Sequence, residues 1–222
     1  MMGNARVARQ CGNFAIAACA ALTLVACATT ATVPHNSNVD RLTRAMVTLL
    51  PMGEIFDRFA AKDAEWPVKG KMDKVKPDQL ACLRRELSSD GYTRTRRTEV
   101  EAYVKAHPAR LKEEMELLES GAAEAYGKLI KAGVDAKISG KPADSDAVLK
   151  SLQGEQLLSF MKFAQDPSYS DLRKLAGMGD ALVDADTSKE SKRAGQQVGK
   201  SLASKYILQA TVTCNVPPSA YL

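Results

Sequence analysis

Apolar residues recur at helical spacing along most of the chain. Leu42, Met46, Leu49 and Leu50 share one face of a first helix that Ser37 or Asn38 can cap and Pro51 interrupts. A second, over residues 52–62, carries Ile55, Phe56 and Phe59. A Lys-rich connection over 63–76 holds the single tryptophan, where Pro67 pushes Trp66 out of helical geometry and suits it to plugging the edge of a core. Pro77 fits the first turn of a helix striped by Leu80, Leu83 and Leu87, which Asp90-Gly91 is expected to end. Val100, Tyr103 and Val104 predict a helix over 93–106, broken by His107-Pro108.

The longest run follows, over 108–132, with Leu111, Met115, Leu118, Ala122, Ala125 and Leu129 four or three residues apart and Gly133 as the expected stop. Gly121, Ala122 and Ala125 thin its middle. A loop over 134–143, a short helix capped by Asp144, a helix over 155–165, a turn at Asp166-Pro167 and a helix holding Leu172, Leu175 and Met178 complete the third quarter. A polar stretch over 184–189 precedes a last helix over 191–211, closed by Pro217-Pro218. Gly195, Gly199 and Ala203, every four residues, predict close packing of that helix on the thin middle of the longest one. No stretch alternates as a strand does and no long repeat occurs. The pattern predicts an all-α, bundle-like domain.

The first 26 residues follow a different pattern. Arg6 and Arg9 precede an apolar run over 14–25, and Ala26 stands before Cys27. This is the layout of a secretory signal, and its apolar run of about 12 residues falls short of the ~20 that cross a bilayer. Leu24-Val25-Ala26-Cys27 resembles the lipobox of bacterial lipoprotein precursors. The resemblance implies removal of residues 1–26, lipidation of Cys27 and stable attachment by two or more acyl chains. Ala28, where an Asp would favour inner-membrane retention, implies the periplasmic face of the outer membrane. Residues 27–38 then form a lipidated tether containing His35, and 39–222 a periplasmic helical domain.

Processing simplifies the cysteine chemistry. Cys11 and Cys19 leave with the signal and Cys27 carries lipid, so only Cys82 and Cys214 remain, as a disulfide or as two buried thiols. The loss of Arg6 and Arg9 takes the formal charge from +5 to +3, too little to point to nucleic acid. A mature chain of 196 residues suits one core.

Residues 157–175, especially Leu158, Phe163 and Pro167, resemble the helical envelope proteins grouped as domain of unknown function 2059, with Tyr169 where those proteins carry glycine. That resemblance implies an all-helical fold and no catalytic residue.

Catalytic motifs are sparse. Gly199-Lys200-Ser201 with Ala194 fits the loose phosphate-loop spacing, yet no strand or glycine-rich loop precedes it. Ser159-x-x-Lys162 has the spacing of penicillin-recognising enzymes without their partner motifs. His107 is the one histidine of the domain, and its place before a proline suits packing or capping better than catalysis. No metal-ligand spacing and no cofactor motif appears. The feature that suits recognition is Arg84, Arg85, Arg94, Arg96 and Arg97, which fall within 14 residues. On one face of a helical hairpin they would suit an acidic protein surface or anionic lipid headgroups; a solvated face neutralised by Glu86, Asp90, Glu99 and Glu101 is the plainer alternative. The sequence therefore predicts a lipid-anchored, non-catalytic binding protein. One concrete version is an immunity lipoprotein against an antibacterial toxin, with an envelope enzyme or structural accessory protein as alternatives.

Overall fold

The computed structural model describes residues 37–179 and 188–220, with the backbone alone at 188–192 and 218. The signal region, Cys11, Cys19, Cys27, the tether through Asn36 with His35, and residues 184–187 of the polar stretch lie outside the described residues.

Punctuation residues set the helix limits. Helix α1 (Ser37–Leu49) stops at Pro51, which also opens α2 (Met52–Lys62). Pro77 starts α3 (Pro77–Leu87), where Gln79 reaches back to accept the Lys76 amide at 3.0 Å. Ser88 is the N-cap of α4 (Ser89–Ala106), its hydroxyl oxygen accepting from the Gly91 amide at 3.2 Å. Asp90-Gly91 therefore lies inside the first turn of α4 and does not end α3, because the serine cap breaks the chain two residues earlier.

The longest predicted helix is two. Pro108 stands in a turn, and α5 (Leu111–Leu117) joins α6 (Ala123–Ser139) through a π-type bulge over Leu118–Ala122. Gly121 adopts φ 126° there, a conformation side chains disfavour, and a Cβ on it would lie 2.8 Å from the Gln156 backbone. The expected stop at Gly133 is passed: α6 runs on to Ser139, and Gly140 supplies the left-handed cap at φ 72°. The predicted loop over 134–143 thus begins six residues late.

Helix α7 (Ser145–Lys150) is capped by Asp144, which accepts from the Ala147 amide at 2.8 Å. Helix α8 (Gly154–Gln165), a 3-10 turn (Pro167–Tyr169), α9 (Ser170–Leu175) and α10 (Ser188–Thr213) complete the chain, and no strand occurs among the described residues.

The described residues group into one unit. Helix α1 lies against α4 and α6, α2 against α3 and α4, α3 against α10, and α8 against the bulge and α6. The buried set Leu42, Met46, Leu49, Leu83, Leu87, Val100, Leu118 and Phe163 forms one core. Trp66 plugs its edge against Phe56, ring centroids 5.5 Å apart. Cys82 and Cys214 form a disulfide with 5.7 Å between Cα atoms, clamping the end of α10 to α3. Gln79 adds a hydrogen bond to the Asn215 carbonyl at 2.6 Å.

The small-residue stripe of α10 does not meet the thin middle of the long helix. Beside Gly195 and Gly199 a Cβ would find open space, whereas Gly121 is covered by α8 and Gly127 by α1. The disulfide directs α10 to α3 instead.

Candidate functional site

The five arginines do not share a face. Arg84 turns back to the connection after α2 and donates to the carbonyls of Trp66 (3.1 Å), Asp63 (3.2 Å) and Ala64 (2.5 Å). Arg97 reaches across to Asp40 of α1 and along α4 to Glu101. Arg96 is 0 % exposed and points inward. Only Arg85 and Arg94 meet at the surface, both on Glu86 at 3.3 Å. A helical hairpin spreads residues 84–97 over its whole circumference, so a dense charge run in the sequence becomes several separate supports.

Arg96 bridges α4, α9 and α10. Its guanidinium donates from two nitrogens to the Leu175 carbonyl at 3.1 Å, to the Tyr206 hydroxyl at 3.0 Å and to Glu99 at 2.5 Å. Glu99 also holds Lys205 at 2.5 Å. Arg173 plays a similar part, donating to the carbonyls of Phe163 (2.9 Å) and Asp166 (2.8 Å) and closing the turn between α8 and α9.

A second buried network joins α4 to α5. The Tyr103 hydroxyl donates to Glu114 at 2.8 Å, and His107, the C-cap of α4, stacks on the Tyr103 ring at 4.3 Å. Glu114 is 1 % exposed and its Oε2 has no hydrogen-bond partner. Burial holds its carboxyl above the usual carboxylate range, against the opposing pull of Tyr103 and Arg110. Burial likewise pushes the Tyr103 hydroxyl well above the ordinary phenol range, with Glu114 adding to it. A carboxyl so enclosed cannot touch a polymeric substrate without opening the domain, so its effect falls on stability. The folded state holds this proton more tightly than the unfolded chain, whose glutamate titrates near pH ~4.3. The Glu114 contribution is thus complete below that pH and declines as pH rises through the folded value. Glu114→Gln, which keeps the Tyr103 hydrogen bond, should gain stability relative to the native protein as pH is raised from about 4 to about 8. Parallel urea titrations check this, and a constant difference across that range would contradict it.

Between the end of α1, the start of α2, α4 and α6 lies a cleft of about 420 Å³. Val47, Pro51 and Tyr92 give it apolar walls. Gly127 lines it where α6 comes closest to α1: a Cβ there would stand 2.3 Å from the Thr48 carbonyl oxygen. Its rim carries both charges. Lys131 pairs with Glu54 across to α2 at 2.7 Å, Lys128 with Glu124 along α6 at 2.7 Å, and Arg58 with Asp135 prolongs the bridge at 2.5 Å. The volume lies in the range of sites for small ligands or single side chains. Ser89, on its α4 edge, donates its hydroxyl to Asp57 at 2.6 Å. The chemistry on offer is recognition of an apolar group beneath paired charges.

The two short motifs have structural roles. Gly199-Lys200-Ser201 lies in the middle of α10, its amides within the helix. Ser159 is buried with its Oγ 2.7 Å from the Ser120 Oγ, while Lys162 sits over the Tyr169 ring at 5.5 Å. No group of three or more His, Cys, Asp or Glu able to hold a metal occurs among the described residues. Pattern reading missed the cleft and Glu114. The cleft has no sequence signal. Glu114 has a weak one, since it precedes Met115 on the face carrying Leu111 and Leu118.

No family model matches the chain, and neither a curated protein nor a solved structure shows detectable similarity to it.

Proposed function

We propose that the chain is a lipid-anchored, non-catalytic binding protein of the bacterial envelope, held at the periplasmic face of the outer membrane through Cys27. The observation that carries this reading is the Cys82–Cys214 disulfide, which closes 132 residues and suits an oxidising compartment. The basic start, the apolar run and Leu24-Val25-Ala26-Cys27 supply a route to that compartment and a membrane attachment. The cleft between α1, α2, α4 and α6 supports the binding part of the reading, with an apolar group of a partner seated under the Lys131–Glu54 bridge.

Cell fractionation tests the anchor. Cys27→Ala should leave the protein soluble in the periplasm or unprocessed, and unchanged recovery with outer membranes would overturn the reading. Capture from envelope extracts tests the cleft. Lys128→Glu combined with Lys131→Glu reverses the rim and should abolish retention of whatever the native protein retains. Equal retention by both would remove the cleft from the proposal.

A further inference from the structure

Helix α8 is apolar on two sides. One side, with Ser159 and Phe163, is buried against the bulge and the core. The other carries Leu158 at 70 %, Met161 at 43 % and Leu157 at 36 % exposure. At 3.6 residues per turn Leu158 and Met161 are neighbours, and both lie on the side of the helix away from Phe163. Single exposed apolar residues are ordinary; three adjoining on one helix make a continuous patch that a covering would shield from water.

We propose that this face of α8 is a membrane contact, seated in the headgroup–acyl boundary of the same bilayer that holds Cys27. The contact presupposes the lipid anchor proposed above. Two observations select the bilayer. The first is reach: Ser37, the start of α1, stands ten residue steps after Cys27, a span of at most ~36 Å when fully extended. The second is position. Arg41, in the first turns of α1, holds Glu119 of the bulge at 2.6 Å. The next bulge residue, Ser120, holds Ser159 of α8 at 2.7 Å, and Gly121 abuts Gln156. Three consecutive residues therefore link α8 to the end of the domain from which the tether leaves. Lys162, exposed beside Met161, suits the anionic headgroup level of an interfacial helix. Leu208 and Val212 are also exposed, but on α10, the helix the disulfide clamps to α3.

The test uses the full lipidated protein reconstituted in phosphatidylethanolamine–phosphatidylglycerol vesicles. Flotation establishes anchoring first. In a Trp66→Phe background, Leu158→Trp should show a blue-shifted emission that acyl-brominated lipids quench roughly twofold or more, as for a side chain buried at the interface. Val212→Trp should stay unquenched. A measurement without substitution on the face runs in parallel: peroxide should oxidise Met161 several-fold more slowly relative to Met72 in the vesicle-bound protein than in the soluble Cys27→Ala protein. Flotation with unquenched Leu158→Trp and an unchanged Met161-to-Met72 ratio would overturn the contact and leave the anchor standing. Failure of the native protein to float would overturn both. A blue shift that appears without lipid and grows with protein concentration would assign the face to a second copy of the chain and overturn the contact.

Discussion

Arg96→Ala should lower the unfolding free energy by about 3–5 kcal/mol, whereas Arg85→Ala and Arg94→Ala should each change it by less than about 0.5 kcal/mol. The contrast follows from position alone. Arg96 is fully enclosed and satisfies the Leu175 carbonyl, the Tyr206 hydroxyl and one oxygen of Glu99. Alanine would leave the first two without their donor and open a void where the side chain ran. Glu99 keeps Lys205 and part of its exposure to water, which moderates the loss. Arg96→Lys should recover little, because one ammonium cannot reproduce two parallel donors to the Leu175 carbonyl together with those to Tyr206 and Glu99. Urea unfolding of the variants reads the outcome. A loss under about 1 kcal/mol for Arg96→Ala would show that the bridge between α4, α9 and α10 carries little of the fold.

Replacing Cys82 and Cys214 together by alanine should cost about 5 kcal/mol, the chain-entropy value for a loop of 132 residues. The slope of unfolding against urea should steepen as well, since an unfolded chain without the cross-link exposes more surface. The native protein in reductant should follow the double variant. A variant as stable as the native protein would mean that the bridge adds no constraint the packing does not already impose.

The two lesions should not add. The disulfide holds the end of α10 and Arg96 holds its middle through Tyr206, so either loss frees the same helix from the body formed by α1 to α4. The triple variant is expected to lose less than the combined single effects.

Helix existence was legible throughout because its signals are local. Apolar spacing, Pro51, Pro77, the Asp144 cap and the Asp166-Pro167 turn each act within a few residues, and each stands where the pattern placed it. The disulfide was legible by elimination, as one of two states left to the last two cysteines. The break in the long helix was not. Its apolar repeat runs unbroken through Gly121, and the positive φ there answers to Gln156, thirty-five residues away on α8. The separation of the five arginines was hidden for a related reason. Five arginines look alike as charges, though Arg96 occupies a position that Tyr92, Val100 and Tyr103 mark as inward-facing. That stripe was a readable sign that this guanidinium belongs to the core.

An all-helical chain, its main breaks, the Cys82 and Cys214 pair left once a signal region is set aside, and the residues from which an anchor is inferred were all readable from the sequence, because these depend on short-range sterics and on counting. Long-range packing settled which arginines are buried, where α10 packs, that a cleft lies between α1, α2, α4 and α6, and that Leu157, Leu158 and Met161 stay outside the core. Those outcomes depend on which helix covers which face, and a one-dimensional pattern carries the faces without naming their partners.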